Sequence, residues 1–502
     1  MRKLFLLCCF GFIMISLNAQ SPILLQSDSL QRYIHTAMQA WRIPAVAVCI
    51  VKDGKIVYQQ AYGTANMQTK QPVNIQTVFP IASISKTFTG TLFATMEADK
   101  LISLNDQVAQ WLPGFAMKDS LYSKQLMLAD ILSHRSGWKT FQGDLLNTES
   151  DLDYAAMIQL FSKQKPVYPL RTRFGYSNFG FMMAGEAVKK ITGESWNAYL
   201  RKRLLKPIGM SRTLVDASTI LKDTNRAFGH SLVADSLVVN TLDKVEPYSH
   251  GGVYASIEDL GKWMQVLLNK GKWADAQVIP ESAIDKMWMS HTIIGKSRAA
   301  DRQQYFKTYG IGWEMMQYHN QEIMQHNGAY SGALTSLTVI PSMQLGIAII
   351  TNQDNHILQE TLKWQIIDAY LRREVPDYTK QQIERQAARR KEVGNQKPVQ
   401  ATEAFSIGLQ AIVGEYFCDG YGKASIKYES GKYILRLAHH PSLQGVLSPY
   451  NKDQLLCTYN HPMFGKMPFR FKIVDREVQS FELLVDDFVE ADPYLFLRVV
   501  DK

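Results

Sequence analysis

The stretch FPIASISKTFTG, residues 79–90, places Ser83 three residues before Lys86 among small and apolar neighbours. From Ser85 to about Leu101 the apolar residues Phe88, Leu92, Phe93 and Met96 recur at helical spacing, which predicts a buried helix with a serine at its start. A serine there sits over free backbone N–H groups at the positive end of the helix, and such groups can hold an oxyanion when the hydroxyl attacks a carbonyl. Lys86 lies on the same helical face and can reach the Ser83 hydroxyl. A buried ammonium is costly unless it is paired or used. Taken alone, the pattern equally fits an N-capping serine beside a snorkelling lysine. The spacing also recurs in SGWK at Ser136 and SKQK at Ser162, outside any such setting.

The flanks indicate the fold. RIPAVAVCIVKDGKIVYQQAY, residues 42–62, reads as two strands joined by the turn Lys52-Asp53-Gly54-Lys55. A mixed helical and loop region runs to about residue 300. Strands then return at Leu334–Ile340 and Leu345–Thr351, separated by the turn Pro341-Ser342-Met343-Gln344. Strands before and after a helical middle predict a sheet completed by both ends of one domain, with helices on its faces. Beyond it, Glu374–Gln400 is charged, helix-prone at Gln381–Lys391 and broken by Gly394 and Pro398. From about Thr402 the chain reads as short alternating strands, with hairpins around Ser430-Gly431 and Asp475-Arg476. That composition predicts a small antiparallel sheet or barrel. The expected division is a leader at 1–19, a main sheet-and-helix domain at 20–375, a charged linker at 376–401 and a small β-barrel domain at 402–502.

The 502 residues carry a formal charge of +9, spread along the chain apart from Arg385–Lys391, which reads as a basic surface and not as a nucleic-acid site. MRKLFLLCCFGFIMISLNAQ has Arg2 and Lys3, an apolar run to Leu17 and a small residue at Ala19. It reads as a secretory leader, too short to span a bilayer comfortably, and implies a periplasmic or secreted protein. No later stretch reads as an integral membrane segment. Cys49, in the apolar run VAVCIV, reads as a packing residue; Cys418 and Cys457 are close enough in sequence context to leave pairing open. No cluster has metal-ligand spacing, and no cofactor is expected.

Two further segments carry possible chemistry. RFGYSNFGF sets Tyr176, Ser177 and Asn178 in a glycine-flanked loop before a helix. A tyrosine held near a lysine ammonium would have a lowered pKa and could act as a base, and Asn178 could offer its amide to substrate or lysine. His326-Asn327-Gly328 lies at the entry to the late strands, where a glycine lets substrate approach the backbone and Ala329 N–H could serve as an oxyanion donor. Tyr318-His319-Asn320 and His250-Gly251-Gly252 repeat these patterns elsewhere.

In the order Ser-x-x-Lys, Tyr-x-Asn, His-x-Gly, the three segments resemble the penicillin-recognising serine hydrolases of the class C β-lactamase type, which include D-stereospecific peptidases and esterases. ADILSHRSGW, LLKPIGMSRT, GGVYASIEDLGKWM and HNGAYSGALTSLTVIPSMQLGIAIITN fit the same resemblance, from roughly residue 25 to 370. It implies an α/β (α+β) fold, with an antiparallel sheet flanked by helices plus an all-helical subdomain. It also implies Ser83 as the acylated nucleophile, with Lys86 and Tyr176 sharing proton transfer. Asn178 would orient substrate and lysine, His326, Asn327 and Gly328 would line the substrate site, and Ser83 and Ala329 N–H groups would form the oxyanion hole. The substrate would be a small ester, amide or D-amino-acid peptide. His326 stands where many true β-lactamases of this type carry lysine, which weakens carboxylate anchoring. Leu170 replaces the usual glycine, and His134 and His250 match positions that are mainly structural. GEYFCDGYGKASIKYESGKYILRL resembles the lipocalin-like barrel often appended to such hydrolases.

Overall fold

Alternation along the first long strand shows how the sheet is held. In β1 (Ala45–Lys52) Ala45, Ala47, Cys49 and Val51 join one apolar core, whereas Val46, Val48 and Ile50 join another on the opposite face. Such a strand is buried on both sides, which explains its unbroken apolar run. In this computed structural model residues 27–233, 236–240, 248–296, 304–330, 332–394 and 404–500 are described. The leader expected at 1–19 lies outside them.

A Lys52–Lys55 turn with Asp53 and Gly54 both at positive φ joins β1 to β2 (Lys55–Asn66), and β3 (Gln71–Pro72) forms one edge. The late strands are β4 (Thr292–Lys296), β5 (Gln304–Tyr309), β6 (Glu314–Tyr318), β7 (Gln321–Tyr330), β8 (Ala333–Ile340) and β9 (Leu345–Thr351). The sheet order is β4-β5-β6-β7-β8-β9-β1-β2-β3, antiparallel throughout, with Val46 opposite Thr351. The two ends of the domain therefore meet in mid-sheet, as the strand pattern predicts.

Helix α1 (Ser27–Trp41) covers one face, while α2 (Ser85–Ala98) and α4 (Ile257–Leu268) lie over the other, with α3 (Asn178–Thr192) in the helical region beside them. α5 (Leu358–Tyr370) packs on β8 and β9 from the α1 side. α2 is buried almost all round, and three of its threonines are satisfied within the helix: Thr87 donates to Ile84 O, Thr91 to Thr87 O and Thr95 to Thr91 O. It rests directly on the backbone at Ile311-Gly312; a β-carbon on Gly90 would fall 2.2 Å from Ile311 O. Gly90→Ala is expected to destabilise the protein by roughly 1–3 kcal/mol, read as a lower denaturation midpoint. An unchanged midpoint would contradict this seating.

The charged stretch expected as a linker is helical from Tyr378 to Gly394 (α6), and its start docks on the sheet domain. Tyr378 donates to Asp368, and the Trp41 indole donates to Gln386 at 2.7 Å. Next comes a closed eight-strand antiparallel barrel, from β10 (Gly414–Cys418) through β16 (Glu477–Leu483) to β17 (Tyr494–Arg498), which pairs back with β10. Phe469, Phe481 and Phe496 stack through its centre. Its apolar core is continuous with that of the helical region. Cys49, Cys418 and Cys457 are all free thiols. Among the described residues no helix is long and apolar enough to cross a membrane.

Candidate active site

Ser83 sits in a 3-10 turn, Ala82–Ile84, that leads into α2. Ala82 holds φ +47, an unfavourable conformation for a residue with a β-carbon. The turn is fixed on both sides. Ile81 N–H donates to Val253 O, Val253 N–H donates to the Ser85 hydroxyl, and Thr335 donates to Ile81 O. β7 packs against the same turn, and a β-carbon on Gly328 would lie 2.4 Å from Ile81 O. Its glycine is thus required by close approach.

Lys86 is fully buried, and its ammonium donates to Ser83 Oγ at 3.2 Å, Asn178 Oδ1 at 2.7 Å and the His250 carbonyl at 2.7 Å. Three acceptors satisfy its three protons, yet burial still pushes its pKa down to about 7, partly opposed by Asp144. The same nitrogen lies 4.7 Å from the centre of the Tyr176 ring. The Tyr176 phenol itself hydrogen-bonds Ser83.

Loop packing presents Tyr176. Buried Asp130 pairs with Arg135 and Arg171, Gly175 N–H donates to His134 O, and a β-carbon on Gly175 would fall 1.8 Å from Trp138 O. His134 is buried, takes the Ser177 N–H on Nδ1 and lies 4.4 Å from the Tyr176 ring. It supports the tyrosine from behind, consistent with a structural position.

Two expectations need correction. The lowered tyrosine pKa is not found: burial raises it well above the usual phenol value, and the charges of Asp144 and Glu314 push the same way. The lysine sits over the ring face, where it does little for a phenolate oxygen. The His-Asn-Gly segment is also not used as a unit, because it lies within β7 and side chains alternate. His326 and Gly328 are buried on the site face, whereas Asn327 is exposed on the other and hydrogen-bonds Glu360 of α5. His326 donates from Nδ1 to Asn327 O at 2.7 Å and accepts the Tyr309 hydroxyl on Nε2 at 2.8 Å. Burial and Lys86 push its pKa down to about 3, so it is a neutral ring with both nitrogens engaged.

β6 stops pairing with β7 at Gln325, so residues 326–330 have a strand partner only on the β8 side. Ala329 therefore lies on a segment with one open edge, facing the serine turn.

Sequence reasoning misses Asp144. It is 4 % exposed, and its Oδ2 accepts the Asn178 amide at 2.5 Å while Oδ1 has no partner. Burial pushes its pKa up to about 7, opposed by the Asn178 hydrogen bond and Lys86. Asp144, Asn178, Lys86 and Ser83 thus form one hydrogen-bonded line. Nothing in FQGDLLN marks this aspartate apart from its later burial.

Comparison with known proteins agrees with this architecture. The family description Beta-lactamase matches residues 30–371. The unguisins hydrolase ungD' of Aspergillus campestris is 26 % identical over 357 residues, 67 % of this chain and 63 % of that protein. Protein flp of Staphylococcus aureus is 25 % identical over 368 residues, 68 % of each chain. The chain thus spans less than two thirds of the length of the fungal relative. The octameric penicillin-binding protein homologue from Pyrococcus abyssi shares the fold with a TM-score of 0.59 at 20 % identity, over 94 % of this chain and all of that one. With a matched stretch covering well over half its length, the chain belongs to the Beta-lactamase family.

Proposed function

We propose that this chain is an exported serine hydrolase that forms an acyl-enzyme on Ser83. The observation that carries the reading is the fully buried Lys86, poised near neutral pKa and 3.2 Å from Ser83 Oγ. Neutral Lys86 takes the Ser83 proton as Oγ attacks an ester or amide carbonyl. The oxyanion is met by the N–H groups of Ser83 and Ala329. Tyr176, kept protonated by burial, passes its proton to the leaving group and is reprotonated with the proton that Lys86 took from Ser83, which leaves Lys86 neutral again. Water then attacks the acyl carbonyl with the same lysine as base, which restores Ser83.

Neutral, fully engaged His326 offers no permanent charge for a substrate carboxylate, which favours small esters, amides or D-peptides over β-lactams. The leader-like N-terminus supports export.

Intact-protein mass after exposure to a fluorophosphonate and, separately, to benzylpenicillin tests the reading. One fluorophosphonate adduct is expected on wild type and none on Ser83→Ala. Absence of an adduct on folded wild type would refute the acyl-enzyme reading. Rapid turnover of benzylpenicillin would instead favour a true β-lactamase.

A further inference from the structure

Among the contacts by which the barrel reaches the candidate active site is a buried carboxyl group. Glu490 lies in the loop between β16 and β17 and is 1 % exposed. Its Oε1 accepts Gly143 N–H at 2.7 Å, and its Oε2 accepts Leu145 N–H at 3.1 Å and the Tyr494 hydroxyl at 2.8 Å. Three donors aimed at two oxygens fasten this carboxyl to the turn and to its own barrel. The two amides flank Asp144 on the 3-10 turn Asp144–Leu146, and Asp144 hydrogen-bonds Asn178, which holds Lys86. The same loop is fastened further along: His440 meets Thr148 O at 2.9 Å, and Asp151 N–H donates to His439 O.

We propose that Glu490 is a positioning residue for the site: from the barrel it holds the turn 143–145 so that Asp144 meets Asn178 and, through it, Lys86. This rests on the reading of Lys86 as the base for Ser83. Packing alone does not explain a buried carboxyl with every oxygen aimed at one turn of another domain. Burial pushes the Glu490 carboxyl up to about 8, and Asp144 pushes it the same way. Asp144 faces Glu490 and Lys86; Lys86 faces Asp144, Tyr176, His134, His250 and His326. Glu490 thus acts through its hydrogen bonds to the turn and not through a charge held at neutral pH.

The test uses the full chain with Glu490→Gln and Glu490→Ala, following fluorophosphonate acylation of Ser83 against pH. Glu490→Ala is expected to slow acylation roughly 10- to 100-fold by releasing the turn. Glu490→Gln keeps one acceptor oxygen and recovers part of the rate. A Glu490→Ala rate within twofold of wild type, or a Glu490→Gln rate no faster than that of Glu490→Ala, overturns the proposal. If wild type itself fails to react, the acyl-enzyme reading falls. Amide hydrogen exchange at Gly143 and Leu145 then decides: at least tenfold faster exchange in Glu490→Ala supports the holding role, and unchanged exchange refutes it.

Discussion

Lys86→Met is expected to leave a folded protein whose Ser83 acylates about 10,000-fold more slowly. Methionine nearly matches lysine in length and removes a buried amine, so the apolar surroundings of α2 lose little. What disappears is the amine bonded to Ser83, Asn178 and His250 together. The pH profile should change as well. In wild type the base must be neutral, and burial holds Lys86 near 7, so acylation rises through about pH 7 and levels off above it. The variant should show no such limb. A residual rate within tenfold of wild type would pass the role of base to another group. Tyr176 is the poorer candidate, because its proton is held more tightly than that of a free phenol.

Gly328→Ala should do smaller but still severe damage by a steric route. The added methyl would lie 2.4 Å from both Ile81 O and Thr335 Oγ1, and 3.1 Å from the Ala82 β-carbon. A backbone oxygen cannot rotate away, so β7 must separate from the serine turn. The Ala329 N–H moves with it. Acylation is expected to fall about 100- to 1000-fold, as for loss of an oxyanion donor, with roughly 1–3 kcal/mol of stability. Asn327→Ala, one residue away on the outer face, should change the rate less than about threefold. Equal effects at the two positions would reverse the assignment of strand faces.

Much of this was legible in the residues. The hairpin at Asp53-Gly54, the strands on either side of Pro341 and the turns at Ser430-Gly431 and Asp475-Arg476 follow from local chemistry, and positive φ at these turn residues matches it. Ser83, Lys86 and Asn178 come together because their segments open helices that the core pins in place. The alternation within His326-Asn327-Gly328 was available too, once the segment is treated as strand and not as loop. Asp144 was not legible. Its place depends on amides held by Glu490, 346 positions later in the chain, and no local pattern records such a contact. The tyrosine was misjudged because proximity of a cation says nothing about which part of the ring it approaches.

The meeting of β1 and β9 in mid-sheet has a consequence for biosynthesis. Val46 pairs with Thr351, a separation of 305 residues (351 minus 46). At about 5–20 residues per second, the first hairpin emerges from the ribosome roughly 15–60 seconds before its partner strand exists. Throughout that interval AVAVCIV exposes an unpaired, apolar, uncharged edge of the kind that recruits other chains. Sheet closure therefore waits on the last third of the domain, and a nascent chain stalled before residue 345 is expected to aggregate or to need a chaperone on this one segment.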